Sequence, residues 1–325
     1  MVEVKSKLQT LGVKLAPIGR KLALPVQGLV LAAVVYFMIS RLSDYSWHEI
    51  FLSLPRSGWF YGFFVCLYIT PPLADFLLYR WLFRLNAGSL PVMFYKRACN
   101  EGFFDYSGEA FFYFWVKKKS ELTGARIFDA VKNVNILSAL SSNVMTLAIL
   151  AVAATGQVVG ISTLYEQIGL KTILLLGVVV IGLLVLLIGT RSSMQAMTWR
   201  EAMIICMAHC LRITAVMVLQ IAMWSSLFPD ISFKVWAIFL AAQMVLGRVP
   251  FLPNKDLLFT GLAIGLAPHV LSSQLSVLGM FMTAATLTVL CHLTICIVGT
   301  IMNGAAGLQG NLLKGWFQSA DSNLS

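Results

Sequence analysis

Apolar residues lie along this chain in long blocks separated by short polar clusters, not in the one-sided stripe of a surface helix. Blocks at 22–39, 58–79, 134–154, 172–190, 202–227, 233–246 and 275–301 predict helices that are apolar all round. Most of them approach the ~20 residues that cross a ~30 Å hydrocarbon core. The second block carries "TPPLAD", where Pro71 and Pro72 free backbone carbonyls and predict a kink just before Asp75. Two shorter stretches break the pattern. Residues 98–116 are interrupted by Gly102 and Gly108, and 256–267 follow "RVPFLPNKD" and end at Pro268. Whether 256–267 crosses is left open, so the count is seven or eight spans.

Composition gives the same solvent. Of 325 residues, 58% are hydrophobic and 12% charged, about half the charge of an ordinary soluble domain, and the mean hydropathy is +0.82. The reading is an all-α, polytopic integral membrane bundle with two broken or re-entrant segments. No polar region is long enough to fold as a separate catalytic domain.

The net charge of +10 is explained by orientation and not by nucleic acid, because the basic residues cluster beside apolar blocks, where positive charge stays cytoplasmic. Lys5, Lys7, Lys14, Arg20 and Lys21 precede the first block with only Glu3 against them. Residues 1–21 are therefore expected to be a cytoplasmic N-terminal segment and not a cleaved signal. Val4, Leu8, Leu11, Leu15 and Ile18 recur at helical spacing, so this segment is also amphipathic and suited to the membrane surface. Arg80, Arg84, Lys96 and Arg97 before the stretch at 98–116, and Lys117, Lys118 and Lys119 after it, put cytoplasmic-type charge at both ends. A re-entrant segment satisfies that pattern.

The re-entrant reading gives Glu101, Asp105 and Glu109 a setting. Their spacing of four predicts one acidic face on a helix, and carboxylates are tolerated at membrane depth where protein or a water-filled cavity covers them. An ordinary span followed by a short, Gly/Pro-interrupted segment occurs twice, near 58–116 and near 233–268. Such paired broken segments mark the binding site of transporters built from inverted repeats. Close packing of glycines is the plainer alternative, but it leaves the intramembrane acids unexplained.

Cys66, Cys99, Cys206, Cys210, Cys291 and Cys296 all lie in or beside apolar blocks and read as small buried hydrophobes. "CMAHC" and "CHLTIC" set His209 and His292 beside cysteines. Buried histidines hydrogen-bonded between helices explain this better than metal ligands, and neither a metal nor a cofactor is expected.

The stretch "DYSGEAFFYFWVKKKSELTGARIFDAVKNVNILSALSSNVMTLAIL" resembles the first signature of the flippase-like membrane family that includes the transmembrane region of lysylphosphatidylglycerol synthase, and "PFLPNKDLLFTGLAIGL" resembles its second. The resemblance runs loosely over 25–300. It sets Gly108 and Glu109 on the first motif's glycine and acid, and Pro253 and Asp256 on the second motif's proline and acid. Two departures stand out: "FFYF" replaces the arginine that follows the first acid, and Asn254 and Lys255 replace the second motif's glycines. The resemblance implies a flippase-like transmembrane domain over 22–302 and a C-terminal tail over 303–325. The soluble aminoacyl-transferase domain of some relatives is not expected.

The expected function is flipping or handling of a lipid or lipid-linked molecule across the cytoplasmic membrane. Lys255, Arg248 and Arg212 are candidates for an anionic head group. Glu109, Asp105, Asp256 and Asp75 are candidates for a cationic substituent or a proton relay; Glu101, Gly108 and Asn254 complete the candidate set. Two alternatives remain. One is a lipid-modifying membrane transferase using a carboxylate base near His209 or His292, although no HExxH, P-loop or nucleophile-elbow pattern is present. The other is a non-catalytic subunit of a lipid or polysaccharide synthesis complex. The expected partners are membrane lipids, with a homo-oligomer or such a complex left open and no nucleic acid.

Overall fold

The computed structural model describes residues 52–102, 106–155, 197–247, 258–263 and 274–305, together with Tyr36, His48 and Lys255. Among them every regular element is helical: α1 Gly58–Phe83, α2 Leu90–Gly102, α3 Ser107–Lys119, α4 Gly124–Thr155, α5 Trp199–Ser225, α6 Phe233–Leu246 and α7 Gln274–Ala305. The expected N-terminal segment 1–21, the spans at 22–39 and 172–190 and most of the tail lie outside the described residues, as does most of 256–267.

Among the described residues three helices are long and apolar enough to cross a membrane: Gly58–Phe83, Trp199–Ser225 and Ser276–Gly299 within α7. This is the pattern of a membrane-embedded protein. By contrast α6 has 14 residues, ~21 Å at 1.5 Å per residue, which is shorter than the hydrocarbon core it was expected to span. The start of α5 is fixed locally. Thr198 Oγ1 accepts the Glu201 N–H at 3.3 Å and Glu201 Oε2 accepts the Thr198 N–H at 2.9 Å, a reciprocal capping box.

Helix α1 continues through Pro71 and Pro72. A proline at position 72 has no N–H to give the carbonyl of residue 68, so the Tyr68 oxygen loses its helical donor. The guanidinium of Arg97 on α2 replaces it, donating from Nη1 at 2.6 Å, and also lies 4.8 Å from the centroid of the Tyr68 ring. The same break helps hold α2 against α1.

Two apolar cores form on either side of this level. Phe60, Phe64, Tyr68, Met223, Trp224, Trp236, Phe239 and Phe281 make one. Phe76, Tyr79, Met93, Phe112, Val116, Ile127 and Ile205 make the other. Helices α1 and α5 contribute to both, α1 through its two halves around the prolines and α5 through its two ends. The stretch between the cores is where Asp75 and Arg212 sit.

The interrupted segment at 98–116 falls in two helices, so the acidic face that a continuous helix would give does not form. Tyr106 takes a left-handed conformation at φ 71°, which ends any continuous 3.6-residue register between Gly102 and Ser107. Glu101 is exposed at the C-terminal end of α2, whereas Glu109 lies in the first turn of α3, so these two acids do not share one helical face. Asp105 lies outside the described residues. Gly108 is required for a different reason from the one its sequence suggested: a Cβ there would collide with the Lys96 carbonyl. Its N–H donates to Asn100 Oδ1 at 2.7 Å, and Ser107 Oγ donates to the Cys99 carbonyl at 2.7 Å. The Asn100 side chain thus satisfies an open N–H at the start of α3, and Ser107 satisfies a carbonyl in the last turn of α2.

Candidate functional site

Where α1, α2, α3 and α5 meet, four charged side chains converge. Lys96 Nζ lies 2.6 Å from Asp75 Oδ2 and 3.3 Å from Glu109 Oε1. Arg212 Nη1 donates to Asp75 Oδ1 at 3.1 Å, and its Nη2 donates to Ser138 Oγ on α4 at 3.2 Å. Asp75 is therefore held by two cations, and Lys96 bridges two carboxylates. Two acids and two bases leave the cluster formally neutral.

Each member is there for a local reason. Lys96 and Asn100 are one turn apart on α2, so the face that caps α3 also carries the lysine towards Glu109. Glu109 sits in the first turn of α3, where the helix dipole favours a negative charge. Arg212 is the central residue of the 27-residue α5, so its charge is as far from either helix end as the sequence allows. The Lys96 side chain is 6% exposed and that of Glu109 13%. Neither is solvated as a surface pair would be, and each depends on its partners.

The cluster is not fully saturated. Glu109 Oε2, the Tyr79 hydroxyl and His209 Nε2 are buried without a hydrogen-bond partner among the described residues. The Lys96 ammonium is 5.3 Å from the centroid of the Tyr79 ring, so the lysine is surrounded by two carboxylates and an aromatic face. The cluster is thus charge-balanced as it stands, and its unpartnered atoms are where it can take a further hydrogen-bond partner.

Of the sequence candidates, Asp75, Glu109, Gly108 and Arg212 converge here. Arg212 is engaged by Asp75 and Ser138, internal partners. Lys255 is a half-buried helical residue, while Arg248, Asn254 and Asp256 lie outside the described residues, and with them the approach of Asp256 to Glu109. Lys96 was read only as a topological charge. The signal that could have found it is arithmetic: two acids in apolar stretches call for a nearby cation, and Lys96 lies 21 residues after one and 13 before the other.

The two histidines differ. The Tyr68 hydroxyl and His292 Nδ1 are 2.9 Å apart and join α1 to α7, as expected of a buried histidine between helices. His209 is buried one turn before Arg212. Among the described residues no group of three His, Cys, Asp or Glu is arranged to hold a metal ion.

The chain matches no family model, no curated protein and no solved structure.

Proposed function

We propose that this protein flips or otherwise handles a lipid or lipid-linked molecule across the cytoplasmic membrane, using the Asp75–Lys96–Glu109–Arg212 cluster as its exchangeable charge. The observation that carries the reading is Lys96 held between Asp75 and Glu109. An ionisable group at the bilayer centre costs ~2.5–3.5 kcal/mol on insertion scales, so intramembrane charges mark pathways and relays by default. The unpartnered Oε2 of Glu109 is the position at which a cationic substituent or a proton would be received.

In this reading the chain is multi-pass with a cytoplasmic N-terminus, and α2 with α3 forms a re-entrant hairpin. Its support is length and charge. Each helix has 13 residues, ~20 Å at 1.5 Å per residue, with Arg80 and Arg84 before the pair and Lys117–Lys119 at its end. The membership in a flippase-like family implied by the motifs around Gly108 and Glu109 belongs to the same proposal.

The test is movement of a labelled lipid in reconstituted vesicles at matched protein amounts. Glu109→Gln keeps shape and most hydrogen-bonding capacity but removes the charge, so movement is expected to fall while insertion and folding persist. Unchanged movement in both Glu109→Gln and Asp256→Asn overturns the carboxylate role.

A further inference from the structure

Consecutive residues on a helix point ~100° apart, and on α2 this sends two adjacent cations to different places. Lys96 enters the carboxylate cluster. Arg97 lines a separate, partly open cavity of about 180 Å³ bounded by α1, α2, α5, α6, α7 and residues 259–260. Its walls are mixed: Trp224, Phe259 and Phe281 supply apolar surface, and its polar side chains include those of Arg97, Gln220 and Gln243. Neither Asp nor Glu is among its described lining residues.

We propose that this cavity is a second binding site, distinct from the carboxylate cluster, which takes a phosphate-type oxyanion on Arg97 with Gln220 and Gln243 as neutral donors. The Tyr68 carbonyl, freed by Pro72, holds the guanidinium by a single N–H, and a guanidinium has five, in a planar fork that matches phosphate. A cation in a cavity whose described lining holds no carboxylate is stabilised most by an anion, and the amides of Gln220 and Gln243 on the same lining can donate hydrogen bonds without adding charge. Finally, the volume is below the ~300–1,000 Å³ of pockets that enclose a drug-sized ligand. It suits one compact head group whose apolar chains remain outside. In a membrane-embedded protein the molecule that joins such an anion to apolar chains is a phospholipid, and free phosphate is the other source of the same chemistry.

The site is tested by calorimetric titration of the full chain in neutral detergent with three probes: dioctanoyl-phosphatidylglycerol, dioctanoylglycerol and inorganic phosphate. Saturable binding of the phosphatidylglycerol and none of the dioctanoylglycerol is expected. Arg97→Gln should weaken binding about tenfold or more, the scale of one charge-assisted hydrogen bond. Ala285→Leu, which fills a buried lining position and leaves Arg97 in place, should weaken it as well and covers the case in which Arg97→Gln fails to fold. Glu109→Gln should bind normally, so loss of translocation and loss of this site are separable. Saturable binding of inorganic phosphate that also depends on Arg97 assigns the site to the free anion; phosphatidylglycerol alone assigns it to the lipid. Equal binding of dioctanoylglycerol, or undiminished phosphatidylglycerol binding in folded Arg97→Gln or Ala285→Leu, overturns the proposal.

Discussion

Arg97 donates to the carbonyl oxygen of Tyr68 at 2.6 Å, the acceptor that Pro72 leaves without its helical donor. A proline that looks like a defect in α1 is thus part of a joint between two helices. Replacing it returns the missing N–H and makes the helix compete with the arginine for one oxygen.

Pro72→Ala is expected to change stability little. Removing an interior proline relieves ~3 kcal/mol, and losing a hydrogen bond from a charged donor costs ~1.5–3 kcal/mol, so the balance is a gain of no more than ~1.5 kcal/mol. Thermal unfolding in detergent measures it. A large loss would show that α1 needs the prolines for its shape.

Asp75→Asn removes the carboxylate that holds both Lys96 and Arg212. Breaking a buried pair from one side costs ~3–5 kcal/mol, because the other charge is left uncompensated. The double variant Asp75→Asn with Arg212→Met should recover part of that loss. Equal unfolding midpoints for the single and double variants would contradict the pairing.

Two glycines should respond in opposite directions. At Gly62 an added methyl meets no atom within 4 Å, so Gly62→Ala should stabilise α1 by ~0.5–1 kcal/mol through helix propensity. Gly108→Ala drives a methyl into the Lys96 carbonyl and should cost ~1–3 kcal/mol as overpacking. It should also slow lipid movement, since it displaces α3 and with it Glu109. Melting temperatures of the pair, measured side by side, check the signs.

Thr198→Ala disrupts the capping box of α5 far from the charged cluster along the helix. It should cost ~0.5–2 kcal/mol of stability while lipid movement at matched folded protein is unchanged. Loss of movement would tie the start of α5 to function.

The apolar blocks were legible because their signal is additive over twenty or so residues; those at 58–79 and 202–227 reappear as α1 and α5 within a few residues of their bounds. Breaks were harder to read. The four-residue spacing of Glu101, Asp105 and Glu109 makes an acidic face only on a continuous helix, and a single left-handed residue, Tyr106, rules that out. No composition rule marks a tyrosine for that conformation. Gly108 was singled out by its motif, yet the backbone it must approach belongs to a helix whose position only tertiary packing decides. Lys96 was missed because the sequence separates it from its partners, and a lysine near an apolar block reads first as an orientation signal.

The cluster also has an order in time. Asp75 lies 21 residues before Lys96 and 137 before Arg212. As the chain is synthesised, the lysine is the first of these two counter-charges to emerge, so Asp75 can be paired by the helix that follows α1 before α5 exists. Arg212 arrives later, at the centre of α5, and meets a carboxylate that is already in position. The acid that would hinder insertion of a lone helix thus becomes the point on which two later events of assembly converge.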